Sequence, residues 1–423
     1  MKASRFTGMV EIDPEKKGQT RYQKMSYPIR YGLYGEIRTE GYIFGFNRNG
    51  EIKTIRGRSG GWLETAEWLK RSAGNDWAYF SAGGYNGAYN YTGEYYVPCL
   101  PYQTNAIFGH GKFESPAVKN AFATWHELAE KLPEMDRNGL SDKQAALIDR
   151  ITAMPPRRLE ERGKELHDII GGPVTVLPPE TRHVEYDVIP LRIADGCLYN
   201  CGFCRVKSGG GFRVRSREDI TGQIHALRDF YGDDRVNYHS VFLGEHDALF
   251  AGSERIGFAA QTAWDVLDIG QSVMADPRLF LFASANSLLR ADDTVFSLLN
   301  GLPFYTHINV GLESGDPETL SLLQKPISAQ KVGDAFSRMI EINHAYPSIE
   351  VSANFVVGAD LPETHLPSIL DLTGNRLERF YPKGDIYLSP LENIGPKERL
   401  LNTFNEFKRL CRLPAYLYLI QRL

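Results

Sequence analysis

Cysteine is scarce in this chain, and its scarcity limits the sulfur chemistry that the protein can carry. The 423 residues include five cysteines, and two of them, Cys99 and Cys411, are isolated in the sequence. A disulfide framework needs several paired cysteines and an oxidising compartment. We therefore expect reduced thiols and a cytoplasmic location.

Long hydrophobic runs are also missing. No apolar stretch reaches the roughly 18 residues that a membrane span requires, and residues 1–20 are polar, without the hydrophobic region of a secretory signal. We therefore expect no membrane partner. A chain of 423 residues is too long for one ordinary hydrophobic core, so its length predicts two domains.

Charge of neither sign dominates, since the formal net charge is −4. Its distribution is uneven: residues 1–71 carry 14 Lys and Arg against 8 Asp and Glu, a balance of +6, and the rest carries 34 against 44, a balance of −10. A modest basic excess is most often solvated surface, but it also fits phosphate binding. Nucleic acid therefore stays a possible binding partner, although the overall negative charge does not favour it.

Three of the five cysteines stand together as C-x3-C-x2-C, at Cys197, Cys201 and Cys204, after a strand-like apolar run at 186–193. Three thiolates on one loop can bind three irons of a [4Fe–4S] cluster and leave the fourth iron with an open position. An open position is typical of a catalytic metal centre. The pattern resembles the signature of the radical S-adenosylmethionine (radical SAM) superfamily, in which the unique iron binds SAM. The resemblance implies both cofactors.

Two other interpretations of the cysteine loop stay open. A Cys3His zinc site is one, although such sites usually draw ligands from two short pairs, and His183 is the only histidine within fifteen residues of the loop. An iron–sulfur redox or sensor centre without SAM cleavage is the other. Cys99 and Cys411 are too few to hold a second cluster of the same kind.

Glycine and proline interrupt the sequence near residues 172–182, where we place a domain boundary. We predict an α+β accessory domain at 1–175, which is a candidate substrate or lid domain, then a barrel domain at 180–395 and a helical extension at 396–423. In the accessory domain, strands at 41–47 and 51–56 flank a hairpin turn. Predicted helices lie at 62–72, 117–132, 141–152 and 157–170.

Strand-like and helix-like segments alternate after this boundary. Strands are predicted at 188–193, 240–243, 279–284, 306–311, 349–357 and 385–388, and helices at 217–230, 257–269, 292–299, 329–343 and 364–376. Six β-α repeats predict an α/β fold with a parallel sheet. This number agrees with the partial (β/α)6 barrel that the radical SAM resemblance implies, in which the chemistry lies at the carboxyl ends of the strands.

The ends of the later predicted strands extend the resemblance. The run Gly-Leu-Glu-Ser-Gly-Asp at 311–316, followed by Lys325, resembles the branch that contains the Elongator catalytic subunit, the methylthiotransferases and the oxygen-independent coproporphyrinogen oxidase. The resemblance implies that Glu313 and Asn354 bind the SAM ribose and that Lys325 neutralises the SAM carboxylate. The predicted cofactor contacts are Phe203, Gly244, Glu245, Ser284, Asn286, Glu313, Ser314, Lys325, Asn354, Val356 and Gly358.

Three features are candidates for substrate recognition. His246, in the turn after the second strand, is the predicted catalytic residue that faces substrate. Between Trp77 and Tyr102, nine of 26 residues are aromatic, and we predict that this Tyr/Gly segment covers the mouth of the barrel. Basic residues follow the cysteine loop and could clamp an anionic substrate or dock an acidic electron donor. They are Arg205, Lys207, Arg213, Arg215 and Arg217.

The resemblance implies a radical SAM enzyme that cleaves SAM reductively and takes hydrogen from a substrate through a 5′-deoxyadenosyl radical. A one-electron donor such as flavodoxin or ferredoxin is the implied partner. The acidic barrel and the aromatic accessory domain fit a small molecule or peptide as substrate. RNA modification is the alternative, and the reaction class, whether oxidoreductase, transferase or lyase, stays open.

Overall fold

Two β-sheets organise the chain in a computed structural model. The structure describes residues 10–23, 29–58, 62, 67–81, 95–96, 113–174, 176–199, 201–204, 211–244, 246–391, 393 and 395–418. No helix in these ranges has the length and apolar character that a membrane span requires.

The first sheet is an antiparallel meander of six strands in chain order. Its strands are β1 (Glu11–Lys17), β2 (Leu33–Arg38), β3 (Tyr42–Phe46), β4 (Ile52–Gly57), β5 (Glu67–Arg71) and β6 (Trp77–Ser81). The predicted hairpin joins β3 to β4, where Gly50 has a φ of 83° and donates its N–H to the Asn47 carbonyl. Glycine suits this position because other residues adopt positive φ at a cost.

Three helices pack on this sheet and are close to the predicted ones. They are α1 (Pro116–Lys131), α2 (Asp142–Thr152) and α3 (Pro156–Ile170). Helix α2 begins with a capping box, in which Ser141 and Gln144 satisfy each other's backbone N–H groups. The apolar faces of the helices cover Phe44, Leu69 and other buried side chains of the sheet.

The helix predicted at 62–72 is wrong, because residues 67–71 form strand β5. Trp68 and Leu69 point to opposite faces of the strand, and both are buried. A strand that is buried on both faces loses the alternation of apolar and polar residues that identifies strands in a sequence. Tertiary packing thus overrides local preference in this segment.

The second sheet is parallel and contains the six predicted barrel strands as neighbours in chain order. These are β8 (Ile189–Leu191), β11 (Ser240–Leu243), β12 (Arg278–Ser284), β13 (Tyr305–Glu313), β14 (Ile349–Val357) and β15 (Ile386–Pro390). The predicted fold class is therefore confirmed: an α/β fold with a partial (β/α)6 barrel and an N-terminal α+β part. Between β8 and β11, the short strands β9 (Ala194–Asp195) and β10 (Arg213–Val214) form an antiparallel ribbon.

Helices alternate with the parallel strands along the chain. Their apolar side chains pack against the sheet and form one hydrophobic core with it. They are α4 (Arg217–Tyr231), α5 (Gly252–Val266), α6 (Ala285–Arg290), α7 (Asp293–Gly301), α8 (Pro317–Leu322), α9 (Ala329–Ala345) and α10 (His365–Leu370). A π-helical turn at Asp371–Asn375 continues α10. A 3₁₀ helix at Pro179–Val184 precedes β8.

The C-terminal segment adds a strand that the sequence did not indicate. Helix α11 (Lys397–Leu410) lies in the predicted helical extension, and strand β16 (Ala415–Tyr418) follows it. Strand β16 pairs in parallel with β15. On its other side, β16 pairs with β7 (Tyr95–Tyr96), which comes from the Tyr/Gly segment.

The first sheet contacts the amino ends of the barrel strands. Asn47 donates to Asp234 at 3.1 Å, Leu33 N–H donates to Asn237 at 2.7 Å, and Lys70 donates to Asp187 at 2.8 Å. Asp187 precedes β8, and Asp234 and Asn237 precede β11. These contacts therefore lie at the end of the barrel opposite to the cysteine loop.

This placement corrects one prediction about the accessory domain. We expected it to cover the mouth of the barrel, but strands β1 to β6 pack on the amino ends of the barrel strands. The physical reason is that the contact consists of hydrogen bonds and a partly buried ion pair between segments that are distant in the sequence, and the periodicity of hydrophobic residues carries no information about such contacts. Residues 82–94 and 97–102 of the Tyr/Gly segment lie outside the described residues, so a lid role for that segment stays a prediction.

Candidate functional site

The cysteine loop lies at the carboxyl end of β8 and is fixed by backbone hydrogen bonds. Cys201 is buried, and Cys197 and Cys204 are half-buried. Tyr199 N–H points at the Cys197 sulfur, with the nitrogen 3.4 Å from Sγ, and Cys204 N–H donates to the Cys201 carbonyl. Backbone donors to cysteine sulfur are one means by which proteins tune iron–sulfur clusters.

The loop rests on the segment that follows α8. Gly202 N–H donates to the Leu323 carbonyl at 2.9 Å. A Cβ on Gly202 would lie 2.9 Å from the side-chain oxygen of Gln324, so a larger residue at this position would displace the Gln324 side chain. This contact brings the cysteines next to Lys325, which follows directly in the chain.

Strand β13 ends in a bulge that turns Glu313 into the barrel end. The register with β14 shifts between Gly311 and Glu313, and Glu313 has a φ of 67°. A non-glycine residue in this left-handed region is strained, and such strain is concentrated at functional sites. The bulge re-aims the side chain, which is a known use of bulges beside active sites.

Gly311 makes room for the Glu313 carboxylate. A Cβ at Gly311 would lie 2.6 Å from Glu313 Oε1 and 3.6 Å from Lys325 Nζ. Lys325 Nζ donates to Glu313 Oε1 at 3.3 Å, and both side chains are buried. In the sequence Gly-Leu-Glu at 311–313, the glycine thus leaves room for a side chain, the bulge turns the chain, and the glutamate supplies the carboxylate.

Glu313, Lys325 and Asn354 form a small polar network. Burial raises the pKa of Glu313, and nearby Lys325 and Asn354 oppose that rise. Burial alone would lower the pKa of Lys325, but Glu313, Cys201 and Tyr199 together raise it above its ordinary value. Ser389 on β15 donates to Asn354 Oδ1 at 2.8 Å, which leaves the Asn354 amide group free to face Glu313.

The turn after β11 carries a buried carboxylate that the sequence reasoning missed. Gly244, with a φ of 80°, donates its N–H to the Leu191 carbonyl and links this turn to β8. Asp247 is 2% exposed, and its Oδ1 accepts from Ser284 N–H at 3.0 Å and from Ser287 Oγ at 2.6 Å. Its Oδ2 is buried without a hydrogen-bond partner among the described residues.

Tyr199 connects the cysteine loop to the end of β12 and was also missed. Lys325 Nζ lies 5.4 Å from the centre of its ring, a cation–π distance. Burial raises the pKa of the Tyr199 hydroxyl, while Ser284 and the Asn286 backbone lie near enough to lower it. Ser284 caps α6, and Asn286 is half-buried in its first turn.

His246 is neutral in this setting. Burial, with a smaller contribution from Arg192, lowers the pKa of His246 to about 4. The side chain is half-buried beside Asp247 in the turn after β11. Its contact with substrate stays a prediction.

Ser314 and Val356 hold the β13 end against the β14 end. The Ser314 hydroxyl and His365 Nδ1 are 2.8 Å apart, and His365 Nε2 lies 2.8 Å from the Val356 carbonyl. Because a carbonyl only accepts, Nε2 donates and Nδ1 accepts from Ser314. Ser314 is fully buried. Its hydroxyl therefore serves to fix the loop after β13 through hydrogen bonds with His365 and the Asp316 N–H.

The other residues that we predicted to contact the cofactors make fewer hydrogen bonds and close contacts among the described residues. Phe203 is half-buried in the cysteine turn. Gly358 follows β14 and approaches the Asn393 carbonyl, which would lie 3.2 Å from a Cβ at this position. Glu245, like Arg205 and Lys207, lies outside the described residues.

The described basic residues after the loop are paired with carboxylates. Arg215 binds both carboxylate oxygens of Asp195 through Nε, and Arg213 reaches the same group at 3.3 Å. Arg217 donates to Glu254 at 2.7 Å. These pairs stabilise the β9–β10 ribbon and the start of α4.

His183 does not approach the cysteines. It lies in the 3₁₀ helix before β8 and stacks on His307 with ring centres 5.3 Å apart. His307 is the third residue of β13, near its amino end, whereas the cysteine loop follows the carboxyl end of β8. The one nearby histidine of the zinc interpretation is therefore at the other end of the barrel.

The donors and acceptors at this barrel end fit SAM beside a cluster. Among the described residues, no three His, Cys, Asp or Glu side chains are grouped to hold a single metal ion, whereas a [4Fe–4S] cluster binds each cysteine to a different iron. Glu313 Oε2 and Asp247 Oδ2 are buried acceptors without a well-aligned partner in this part of the chain. SAM offers hydroxyl and ammonium donors to such acceptors and a carboxylate to Lys325.

The family model of the radical SAM superfamily matches residues 191–372. These residues form a radical SAM domain. The match confirms the recognition of the superfamily and the predicted cofactors, a [4Fe–4S] cluster and SAM. It does not identify the branch to which the domain belongs. A comparison with curated proteins finds no match.

Several solved radical SAM structures resemble this chain at low scores. A radical SAM methyltransferase from Sphaerobacter thermophilus has 15% identity and a TM-score of 0.38, over 55% of this chain and 67% of that one. SuiB from Streptococcus suis has 11% identity and a TM-score of 0.37, over 90% and 71%. The cobalamin-dependent enzyme OxsB has 17% identity and a TM-score of 0.35, over 54% and 31%. This chain thus spans under a third of OxsB.

Proposed function

We propose that this protein is a radical SAM enzyme whose cluster is bound by Cys197, Cys201 and Cys204. The observation that carries the proposal is the contact of the cysteine loop with the segment before Lys325, which joins the thiols to the buried Glu313–Lys325 pair. When bound to these thiolates and reduced by an external one-electron donor, the cluster would supply the electron for cleavage of the SAM C5′–S bond to methionine and a 5′-deoxyadenosyl radical, which would serve to take a hydrogen atom from the substrate.

The chain's own residues bind and orient SAM in this proposal. Lys325 receives the carboxylate, since a buried ammonium makes a strong charge-assisted hydrogen bond. Glu313 accepts from a ribose hydroxyl, and Asn354, held by Ser389, serves the same ribose. Asp247 accepts from the SAM ammonium beside the Gly244 turn. Phe203 supplies an aromatic face for adenine.

We favour a small molecule or a peptide as the substrate. Several described cations of residues 1–71 are used in internal pairs: Lys16 and Arg38 share Glu36 at 3.0 and 2.9 Å, and Lys70 binds Asp187 at 2.8 Å. Paired cations offer little to a phosphate backbone. This supports the small-molecule or peptide class over RNA.

Salt dependence tests the RNA alternative. Binding through several phosphate contacts should lose roughly 10³-fold or more in affinity between about 50 and 200 mM salt. We expect no RNA retention even at low salt. Salt-sensitive retention of a transcript pool would instead favour RNA modification.

The test of the function combines metal content with SAM cleavage. Anaerobically reconstituted protein should hold about four iron per chain, and with dithionite and SAM it should form 5′-deoxyadenosine and methionine. Cys201→Ala should abolish both, whereas Cys411→Ala, which alters a buried thiol at the end of α11, should retain both. One zinc and no iron per chain would overturn the proposal. Cluster formation without any SAM cleavage would favour a redox or sensor centre.

A further inference from the structure

A cavity lies between the first sheet and the amino ends of the barrel strands. Its volume is about 90 Å³. Its walls come from β2 to β5 on one side and from the segments before β8 and β11 on the other. Cavities at such interfaces between structural units are common ligand sites. The cavity is at the opposite end of the barrel from the cysteine loop, so its ligand is separate from SAM.

Arg30 is the most unusual group in the cavity wall. Its Nη1 donates to Thr54 Oγ1, and its guanidinium lies 4.3 Å from the centre of the Trp68 ring. Its Nη2 is buried without a hydrogen-bond partner among the described residues. A buried guanidinium nitrogen without an acceptor is costly, so this position favours an incoming acceptor.

Gly45 on β3 provides the space that the guanidinium occupies. A Cβ at Gly45 would lie 2.4 Å from Thr54 Oγ1 and within 3.7 Å of both Arg30 Nη atoms. The absence of a side chain at Gly45 therefore leaves room for the Arg30 guanidinium over the Trp68 ring. Burial lowers the pKa of Arg30 to about 10, so the side chain remains charged at neutral pH.

The other charges of the cavity wall have partners, and among them Asp234 accepts a hydrogen bond from Asn47 at 3.1 Å. Lys70 binds Asp187 at 2.8 Å and lies 3.8 Å from Glu185, and Lys53 lies 3.8 Å from Asp187. The carboxylate with the largest effect on the pKa of Arg30 is Glu36, which is engaged by two other cations. Among the described residues Arg30 thus lacks a hydrogen-bonded anion.

We propose that this cavity binds a small organic carboxylate, with the Arg30 guanidinium as the group that receives the carboxylate. A planar guanidinium matches a planar carboxylate. Aromatic rings of Trp68, Tyr34 and Tyr238 supply apolar walls for a short carbon body. The volume is below the roughly 150 Å³ in which an engineered protein cavity takes benzene, so the body has only a few carbons.

Glu185 makes the affinity of this site depend on pH. Burial raises the pKa of Glu185 to about 7; Lys70 opposes this rise, and the negative charge of Asp187 adds to it. Below that pH the carboxyl is neutral, and above it the added negative charge opposes an anionic ligand. The charged and titratable groups that face Glu185 are Lys70, Asp187, Arg30, Tyr22 and Tyr31.

Calorimetry with propionate tests the proposal on the purified full chain, without cluster reconstitution. The dissociation constant near pH 6 should be in the millimolar range, as expected for a ligand of few atoms. Arg30→Gln should weaken binding by about tenfold or more. The control is Arg58→Gln, which alters an exposed arginine directly after β4 and should leave the affinity within about twofold.

The pH profile gives a second measurement that does not depend on the Arg30 variant. Affinity should fall several-fold between about pH 6 and pH 8, while propionate itself stays ionised, and Glu185→Gln should remove that fall. Equal propionate binding by Arg30→Gln, no binding up to about 50 mM, or an affinity for inorganic phosphate equal to that for propionate would overturn the proposal.

Discussion

Gly311 and Glu313 show how single residues build the barrel end at which we propose that SAM binds. The sequence indicates the glutamate through its place at a strand end, but it does not show why glycine stands two residues earlier. The structure supplies the reason, because a side chain at Gly311 would collide with the Glu313 carboxylate. The same contact makes a sharp test possible.

Gly311→Ala should weaken SAM binding by about tenfold or more, because the new methyl group displaces Glu313 and, with it, Lys325. Equilibrium dialysis of SAM against reconstituted protein measures the effect. Gly222→Ala on α4 is the control, since a Cβ there meets nothing within 4 Å. Equal SAM affinity in both variants would show that Glu313 does not contact SAM.

Lys325→Ala should also raise the dissociation constant of SAM by about tenfold or more, because a buried charge-assisted hydrogen bond to the carboxylate is lost. Iron content should stay that of the unmodified protein. Lys331→Ala, at an exposed position at the start of α9, is the matched control. Loss of iron together with SAM binding would assign Lys325 to cluster stability instead.

The sequence indicates the cysteines, Glu313, Lys325 and Asn354 because the radical SAM resemblance depends on short motifs at strand ends, and their contacts with the cofactors stay predictions. Asp247, Tyr199 and Ser389 could not, because their roles depend on neighbours in other strands. Asp247, for example, is positioned by Ser284 and Ser287, which are 37 and 40 residues away. The local pattern of hydrophobic and polar residues does not show which residues of other strands will be neighbours.

At the scale of elements, the barrel strands and most helices follow the predicted order. Among the elements that the sequence did not indicate are strands β5 and β16. Strand β5 is buried on both faces, and β16 is a short strand that is stable only because β15 lies beside it. Both depend on tertiary contacts that local sequence preference does not contain.

Helix α3 joins the first sheet to the barrel through Arg162. Its guanidinium donates to Glu51 and to the Phe230 carbonyl, and it lies 4.1 Å from the centre of the Phe230 ring. Arg162→Met should reduce the free energy of unfolding by about 3 kcal/mol, since it leaves the buried Glu51 without this partner. Arg157→Met, on the same helix but 90% exposed, should change it by less than about 0.5 kcal/mol.

Chemical denaturation of both variants measures these differences. Equal stability of Arg162→Met and Arg157→Met would show that the Glu51–Arg162 contact does not hold α3 to the sheet.

At the scale of the whole molecule, the first sheet and the barrel are joined by buried charges. The sequence predicts the two parts, but the end of the barrel on which the sheet lies depends on contacts such as Asn47 with Asp234. These contacts also make the stability of the molecule sensitive to pH.

Burial raises the pKa of Asp234 to about 6, above its value in the unfolded chain. The neutral form is therefore favoured by folding, and this contribution is fully present below about pH 4. It is lost as the pH rises through 6. The loss attributable to Asp234 should be on the order of 2 kcal/mol, and Asp234→Asn should flatten the stability profile by that amount.

Urea denaturation between about pH 4 and pH 8 measures this profile. Asp233→Asn alters an exposed neighbour and should leave the profile unchanged. A profile of Asp234→Asn that parallels that of the unmodified protein would rule out Asp234 as the source of the pH dependence.

The central claim is that three cysteines hold a cluster whose open iron faces the SAM site at Glu313 and Lys325. Electron paramagnetic resonance of the reduced, reconstituted protein with and without SAM tests it most directly. SAM should change the g-values of the cluster signal in the unmodified protein, and at the same SAM concentration the signal of Lys325→Ala should change much less. A cluster signal that SAM does not alter in the unmodified protein would contradict the account.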